Sequence, residues 1–197
     1  MDPVTPAVDH HDPIKIAVVT GSTRPTRRSL AIATWVLDGP PVPGVDLELV
    51  DLIDLGLPML REPIAAAFGQ YEYPETRAWS ELAAGFDGYV LVTPEYNAST
   101  SAVLKNALDH LYVEWHDKAV AFVGYGNVGG VRAVEHLRGI TAELKLAGIA
   151  QALHLHTSQV VDGMFQATQP DQDARDELLA DLARWARSFR ELRRTGA

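Results

Sequence analysis

Short apolar runs alternate along the chain with longer stretches whose apolar residues recur at helical spacing. Three of the runs are almost wholly apolar, which is typical of strands buried on both faces of a parallel sheet. Another run, Val45 to Val50, alternates in character and places Val45, Leu47 and Leu49 on one face. The pattern predicts five strands, at residues 14–20, 45–50, 89–93, 119–124 and 149–155.

Helical periodicity follows each of these strands. The last such stretch carries one apolar stripe, formed by Leu178, Leu182, Trp185, Phe189 and Leu192. Strand–helix units that repeat in one direction build a parallel sheet with helices on both faces. The sequence therefore predicts an α/β fold with a doubly wound five-stranded parallel sheet. Its helices are expected at residues 29–37, 75–84, 101–111, 131–146 and 173–193.

The length of the chain favours a single domain. A chain of 197 residues, 47% of them hydrophobic, can bury one good core but not two comfortable ones. Residues 1–13 lack an apolar segment and contain three prolines, so we expect a disordered leader there. We assign residues 14–197 to one domain.

Composition narrows the range of functions. A formal net charge of −9 and a pI of about 5.2 argue against a nucleic-acid or anionic-membrane partner. The absence of cysteine excludes disulfides, thiolate catalysis and Cys-ligated metals, and it fits a reducing cytoplasm, where we expect the protein. The sequence contains no apolar stretch near the ~18 residues of a membrane-spanning helix.

The loop after the third predicted strand has the most informative side chains. Pro94, Glu95, Tyr96 and Asn97 place a fixed-φ proline, a carboxylate, a phenol and an amide directly after a buried strand. Open α/β sheets bind their ligands at the carboxyl ends of the strands. Such a set of groups can stack on a flat ring and hydrogen-bond to its polar edge, which indicates a flavin-binding loop.

The loop after the first strand has the residues of a phosphate site. Residues 21–29 contain one glycine but several hydroxyl and guanidinium groups, unlike the Gly-x-Gly-x-x-Gly loop of dinucleotide-binding domains. Ser22 can donate to phosphate oxygens, and Arg24 and Arg27 can hold them bidentately. Cations at a helix N-terminus oppose the helix dipole unless an anion is present, which favours a phosphate monoester such as that of FMN.

A second glycine-rich loop matches the dinucleotide pattern by letter. Gly124 to Gly129 reads Gly-x-Gly-x-x-Gly but follows the fourth strand, and no acid ends the next strand. Two interpretations remain open for this loop. Its glycines let the backbone approach a ligand edge, or they form a tight turn between strand and helix.

These motifs together resemble the NAD(P)H-dependent FMN reductases of flavodoxin-like fold, a family that includes quinone, azo-dye and chromate reductases. The resemblance covers about residues 14–160. It rests on the phosphate loop 21–29, the Pro-Glu-Tyr-Asn loop 94–97, the Leu-Lys-Asn-Ala-Leu-Asp helix 104–109 and the glycine turn 125–130. The glycine turn is one residue shorter than in the family. Ser29 replaces a glycine of the first loop, and Ser101 replaces a proline before the helix, where we expect it to cap the helix.

The resemblance implies an enzyme that moves a hydride from NADPH or NADH to bound FMN and then to a small-molecule electron acceptor. The acceptors of the family are quinones, free flavins, azo compounds and metal oxyanions. No catalytic side chain and no metal site is expected, because the flavin supplies the chemistry. The implied cofactor-binding residues are Ser22, Arg24 and Arg27 for the phosphate, Pro94, Glu95, Tyr96 and Asn97 for the ring system and its loop, and Tyr125 and Gly126 for the pocket wall.

The resemblance also implies a homodimer or a dimer of dimers. Two apolar segments, 57–60 and 111–115, are candidates for that interface, but each is also able to pack on the chain's own core. Two other functions remain open. One is a flavodoxin-type electron carrier that reacts with protein partners, and the other is an α/β module without a cofactor.

Overall fold

The computed structural model describes residues 12–196, which form one five-stranded parallel sheet with a short antiparallel hairpin beside it. The sheet strands are β1 (Ile14–Thr20), β2 (Val45–Asp51), β3 (Gly88–Pro94), β4 (Lys118–Gly126) and β5 (Leu146–His156), and the hairpin strands are β6 (Val160–Val161) and β7 (Met164–Phe165). The helices are α1 (Arg28–Asp38), α2 (Leu52–Leu55), α3 (Pro74–Ala84), α4 (Ala102–Asp109), α5 (Val131–Glu143) and α6 (Gln169–Thr195).

The sheet has the strand order β2-β1-β3-β4-β5, which is the order of flavodoxin-like folds. All four strand pairs are parallel, so the carboxyl ends of β1, β3 and β4 meet at one edge. The order reverses between β1 and β3, and ligands of open α/β sheets bind at that point. The fold class predicted from the sequence is confirmed.

Two hydrophobic clusters cover the two faces of the sheet. On one face, α3, α4 and α5 pack through residues such as Trp79, Leu108 and Leu137. On the other face, α1 and α6 pack through residues such as Ile32 and Leu182. Burying apolar side chains on both faces explains why the strand sequences are nearly continuous apolar runs.

Two expectations need correction, and one alternative that was left open is decided in part. The helix predicted to run to residue 146 ends at Glu143, because Lys145 adopts a left-handed conformation (φ 53°) and Leu146 begins β5. Trp185 is 40% exposed rather than part of the core, although it lies on the predicted stripe. Of the apolar segment 111–115, Leu111 and Trp115 are buried in the chain's own core.

The predicted leader falls almost entirely outside the described residues. Its last two residues, Asp12 and Pro13, accept hydrogen bonds through their carbonyl oxygens from Arg190 of α6 at 2.6 and 2.7 Å. The same guanidinium pairs with Asp87 just before β3. α6 is therefore tied both to the first described residues of the chain and to the residue before β3.

Asp87 gives the fold a predictable acid sensitivity. Burial raises the pKa of this carboxyl, but hydrogen bonds from Arg190 and from Lys15 N outweigh burial, so its pKa lies below the usual value. A lowered folded-state pKa contributes stability above the unfolded value of about 4, and that stability disappears as the pH falls through the folded pKa. We expect Asp87→Asn to cost about 2 kcal/mol at pH 7 and progressively less below pH ~4, measured by urea unfolding across pH. A cost that is independent of pH would contradict this account.

Candidate functional site

The loops at the carboxyl edge of β1, β3 and β4 surround a cleft of about 1150 Å³. Its walls are residues 22–28, the loop 94–96, the segment 125–127, one side of α1 and the chain from 157 to 165. Eight of the nine cofactor-binding residues expected from the sequence line this cleft, namely Ser22, Arg24, Arg27, Pro94, Glu95, Tyr96, Tyr125 and Gly126. The ninth, Asn97, does not.

Gly21 fixes the path of the first loop against the neighbouring strand. Its N–H donates to Val92 O at 2.7 Å, and a Cβ at this position would lie 2.6 Å from the same oxygen. Ser101 Oγ donates to Gly21 O and accepts from Leu104 N at 3.2 Å, so the predicted cap of α4 is confirmed and also holds the loop. The first loop reaches the third through Ser22 Oγ and the Tyr96 hydroxyl, 2.9 Å apart.

Arg27 is oriented by a carboxylate that was not singled out from the sequence. Its Nη2 donates to Asp51 Oδ2 at 2.5 Å, at the end of β2. Asp51 also accepts from Thr20 Oγ1 at 2.8 Å and from Ile53 N at 3.2 Å. Burial raises the pKa of Asp51, but these hydrogen bonds, that from Arg27 first among them, lower it overall. The sequence feature that could have pointed to Asp51 is its position as an acid directly after the predicted strand 45–50.

The start of α1 has unused hydrogen-bonding capacity. Arg27 is the N-cap residue, and its side chain does not cap the helix. Arg27 Nε and Ser29 Oγ are buried and have no hydrogen-bond partner in the described part of the chain. Ser29 lies in the first turn of the helix, so its backbone needs no glycine. Free helix N–H groups, two arginines and unpaired donors together fit a phosphate monoester.

The third loop ends in a strained turn. Asn97 and Ala98 have φ values of 50° and 66°, and Tyr96 and Ser99 exchange backbone hydrogen bonds at 2.9 and 3.0 Å. Two consecutive left-handed residues inside such a bridge are typical of a type I′ turn, in which Asn is favoured. Asn97 thus shapes the turn that carries Tyr96, and its contact with a ring system remains a prediction.

Glu95 joins the third loop to α5. Its backbone N–H donates to Tyr125 O at 2.9 Å, and its nearly buried carboxylate accepts from Arg132 N at 3.0 Å and Arg132 Nε at 2.7 Å. Burial raises the pKa of Glu95, but the hydrogen bonds from Arg132 lower it overall, so the group is ionised at neutral pH. A second link runs from His136 Nδ1 to Ser99 Oγ at 2.9 Å.

The glycine turn after β4 is closely packed. A Cβ at Gly124 would lie 2.8 Å from Gly130 O, and one at Gly126 would lie 3.3 Å from Glu95 Cβ. Gly129 and Gly130 have φ values of 76° and 71°. Beside this turn Tyr125 is buried in the cleft wall, and burial raises the pKa of its hydroxyl to about 12. The close neighbours of these glycines are atoms of the chain itself, as the interpretation of a tight turn between strand and helix requires.

Comparisons with known proteins agree with this arrangement. Residues 14–160 match the family model for NADPH-dependent FMN reductases. The chain belongs to this family. An NAD(P)H-dependent FMN reductase of Schizosaccharomyces pombe is 42% identical over 155 residues, which are 76% of this chain and 78% of the relative. A 2-hydroxy-1,4-benzoquinone reductase of a Burkholderia species is 35% identical over 68% of this chain and 73% of its own.

A solved structure supports the same fold. FerB, a flavoenzyme NAD(P)H:(acceptor) oxidoreductase from Paracoccus denitrificans, superposes with a TM-score of 0.64 at 19% identity, over 89% of this chain and 98% of its own. At that identity the likeness concerns the fold alone.

Membership of the FMN reductase family confirms what the sequence predicted about activity. The protein is an oxidoreductase that uses FMN and NAD(P)H, and hydride transfer to the flavin precedes transfer to an acceptor. The roles of individual residues in the cleft stay predictions. Within residues 12–196, no helix is both long and apolar enough to cross a membrane, and no group of three or more His, Cys, Asp or Glu side chains is placed to hold a metal ion.

Proposed function

We propose that the cleft holds FMN with its phosphate at residues 22–27 and its ring system between the loops 94–97 and 125–126. The observation that carries this proposal is the single cleft that joins the uncapped start of α1 to Pro94, Tyr96 and Tyr125. Residues that suit a dianion and residues that suit a flat ring line the same cleft. The presence of both chemistries in one cleft supports FMN rather than a simple phosphate.

The first loop would hold the phosphate through three kinds of donor. Ser22 supplies a hydroxyl, Arg24 an exposed guanidinium and the first turn of α1 its free N–H groups. Arg27 is held in place by Asp51, so its remaining N–H groups are oriented before the cofactor arrives. An arginine that is already oriented loses less rotamer entropy on binding than a mobile one does.

The third and fourth loops would bind the ring system. Pro94 and Tyr96 line one side of the cleft, and Tyr125 and Gly126 line the other. Glu95 fixes the loop by its contacts with α5 and takes no part in proton transfer. When bound, FMN supplies the two-electron chemistry, accepting a hydride from the nicotinamide and passing electrons to the acceptor.

We propose a quinone, a free flavin, an azo compound or a metal oxyanion as the acceptor. The quinone reductase among the relatives supports the first of these. An open cleft without a catalytic acid or base selects acceptors by shape and reduction potential, which favours flat or small oxidants.

An anaerobic visible spectrum tests the cofactor and the donor together. The FMN-reconstituted protein should show bands at roughly 370 and 450 nm, as protein-bound oxidised flavins do, and one equivalent of NADPH should bleach them. Ser22→Ala with Arg24→Ala should weaken FMN retention, whereas Arg77→Ala on the exposed surface of α3 should not.

The other outcomes separate the alternatives. Flavin bands that persist with both NADPH and NADH would indicate an electron carrier reduced by another protein. A protein that neither binds FMN during reconstitution nor oxidises NADPH in the presence of free FMN would contradict the assignment. In that case a cofactor-free module would be the better description.

We propose a homodimer or a dimer of dimers, built through the connection between α2 and α3. Met59 and Phe68 are 72% and 71% exposed, and Val113 nearby is 45% exposed. Asn106 holds this connection through Leu60 N and Pro58 O, both at 2.8 Å, so the apolar side chains are displayed on a fixed segment. Exposed apolar side chains grouped in this way are typical of an interface. Sedimentation equilibrium should give two or four times the 21.5 kDa chain mass.

We further propose that residues 14–197 act as one domain and that the enzyme works in the cytoplasm. The clusters on both faces of one sheet support the single domain. The sequence contains no cysteine and therefore needs no disulfide, which is compatible with the reducing conditions of the cytoplasm. Limited proteolysis should leave this domain intact with its FMN bound.

A further inference from the structure

The cleft extends well beyond the loops proposed to bind FMN. At about 1150 Å³ it exceeds the ~300–1,000 Å³ of ordinary small-ligand pockets. The additional space lies between α1 and the β6–β7 hairpin, and we call it the α1–hairpin groove. Its walls are Ala31, Thr34, Trp35 and Asp38 on the helix, and Val160, Gly163, Met164 and Phe165 on the hairpin.

The hairpin wall of the groove is fixed in place. Asp162 and Gly163 have φ values of 48° and 77°, which makes the two-residue type I′ connection. Phe165 packs on Trp35 with ring centroids 4.6 Å apart and planes tilted by 49°. The segment before the hairpin is tied to the glycine turn by Thr157 Oγ1, which donates to Asn127 Oδ1 at 2.8 Å. The groove is thus continuous with the cofactor loops.

The groove has three chemistries in sequence along α1. Arg28, exposed in the first turn of the helix, lies where the groove meets the phosphate loop. The half-buried indole of Trp35 lies in the middle, and the exposed carboxylate of Asp38 lies at the far end. A guanidinium selects a phosphate, an indole stacks on a flat base, and a carboxylate accepts from hydroxyl or amino groups.

We propose that the α1–hairpin groove binds the adenosine half of NADPH, with Arg28 on its 2′-phosphate. The adenine stacks on Trp35, and Asp38 accepts a hydrogen bond from the adenine amino group. Arg28 is then the residue that makes the enzyme prefer NADPH to NADH. This inference rests on the proposed position of FMN, because the nicotinamide must reach the flavin ring from the same cleft.

Charge supports two phosphate groups at this end of the molecule. The chain carries a formal charge of −9, yet Arg24, Arg27 and Arg28 lie within five residues of one another at the start of α1. Arg27 is already paired with Asp51, and Arg24 lies on the loop proposed for the FMN phosphate. A phosphate monoester in the groove gives Arg28 a partner of its own and offsets the unfavourable position of a cation at a helix N-terminus.

Binding of the isolated adenosine fragment is the first test. The FMN-reconstituted protein, in which the cofactor phosphate site is filled, is titrated with adenosine 2′,5′-bisphosphate, and binding is followed by calorimetry and tryptophan fluorescence. We expect saturable binding that Arg28→Ala weakens about tenfold, as the loss of one charge-assisted phosphate contact does. Arg184→Ala, which removes an exposed arginine of α6, is the matched control and should have no effect.

Kinetics with three hydride donors provide the second test. Arg28→Ala should raise KM about tenfold for NADPH and less than about twofold for NADH, with kcat unchanged. Trp35→Ala should raise KM for both dinucleotides, and Trp185→Ala, the same change on an exposed tryptophan of α6, should raise neither. Reduced nicotinamide mononucleotide lacks the adenosine half, so no variant should alter its KM.

Several outcomes would overturn the proposal. One is that Arg28→Ala leaves the binding of adenosine 2′,5′-bisphosphate unaffected. Another is that Arg28→Ala changes KM equally for NADPH and NADH. The third is that the variants change KM for reduced nicotinamide mononucleotide as much as they change it for NADPH. Because Trp35 contacts the core, Trp35→Ala could lose binding through misfolding, so Trp35→Phe must retain the binding that Trp35→Ala loses. Arg28 is exposed, so Arg28→Ala tests the groove without a risk to folding. Failure of the FMN assignment is separate, since it removes the visible flavin bands but leaves fragment binding measurable.

Discussion

We expect Gly130→Ala to destabilise the protein by more than about 3 kcal/mol and to prevent retention of FMN. Gly130 has a φ of 71°, and an added Cβ would clash with Tyr125 N and lie 2.7 Å from Gly124 C. These neighbours are backbone atoms of β4, which cannot rotate away as a side chain does. The turn would have to move, and with it the cleft wall at Tyr125 and Gly126. Urea unfolding of the flavin-free protein and an FMN titration measure the two effects.

Gly56→Ala is the matched control for this prediction. Gly56 also has a positive φ, 57°, but no atom lies within 4 Å of its added Cβ. The variant isolates the conformational cost of a left-handed alanine, about 1–2 kcal/mol, and should leave FMN binding unchanged. If both variants lost the same stability, the close packing of the glycine turn would not be the cause.

Features that depend on residues close together in the sequence were predicted correctly, whereas most contacts between distant residues were not. The bounds of β1 follow from its apolar run and agree with the structure residue by residue. Ser101 was expected to cap its helix, and the hydrogen bond that does so comes from Leu104 N, only three residues away. Such elements depend on periodicity and on neighbours along the chain, both of which the sequence displays.

Most contacts that assemble the candidate site join residues that are far apart in the sequence. Arg27 and Asp51 are 24 residues apart, and Glu95 and Arg132 are 37 apart. No spacing rule pairs them, since the strand order β2-β1-β3-β4 brings their loops together only in three dimensions. The β6–β7 hairpin was missed for a different reason. Its Asp162-Gly163 pair between apolar dipeptides is a strong turn pattern, but strands of two residues have no readable period.

Lys145 and Trp185 show where the pattern itself misleads. Leu144 and Leu146 continue the apolar spacing of α5, yet the left-handed Lys145 between them turns the chain into β5. Trp185 has helical spacing with core residues, but the buried residues of α6 also include Leu179, Ala183 and Ala186, so Trp185 lies at the margin of the buried face. Periodicity fixes the face of a helix more reliably than it fixes where the contact ends.

We expect Glu95→Ala to cost about 3 kcal/mol of stability and to weaken FMN binding at least about tenfold. The carboxylate is the only described link between the third loop and the N-terminus of α5 that combines an ion pair with a backbone hydrogen bond. Without it, Arg132 N loses an acceptor in the first turn of the helix, and the loop carrying Pro94 and Tyr96 loses its anchor. Urea unfolding and FMN fluorescence quenching measure these effects.

A double-mutant cycle with Arg132 separates the ion pair from the helix cap. Arg132 is 60% exposed, so Arg132→Ala removes a solvated cation and leaves the Glu95 carboxylate bonded to the backbone N–H of residue 132. We expect that variant to cost only about 1 kcal/mol, with a coupling energy of similar size. Glu95→Gln still accepts the hydrogen bond from the backbone N–H of Arg132 but loses the charge. The stability that this variant loses relative to the wild type should shrink as the pH falls through the lowered pKa of Glu95, because the wild-type carboxyl is then neutral too. A Glu95→Ala protein that binds FMN as tightly as the wild type would show that the third loop holds the flavin without α5.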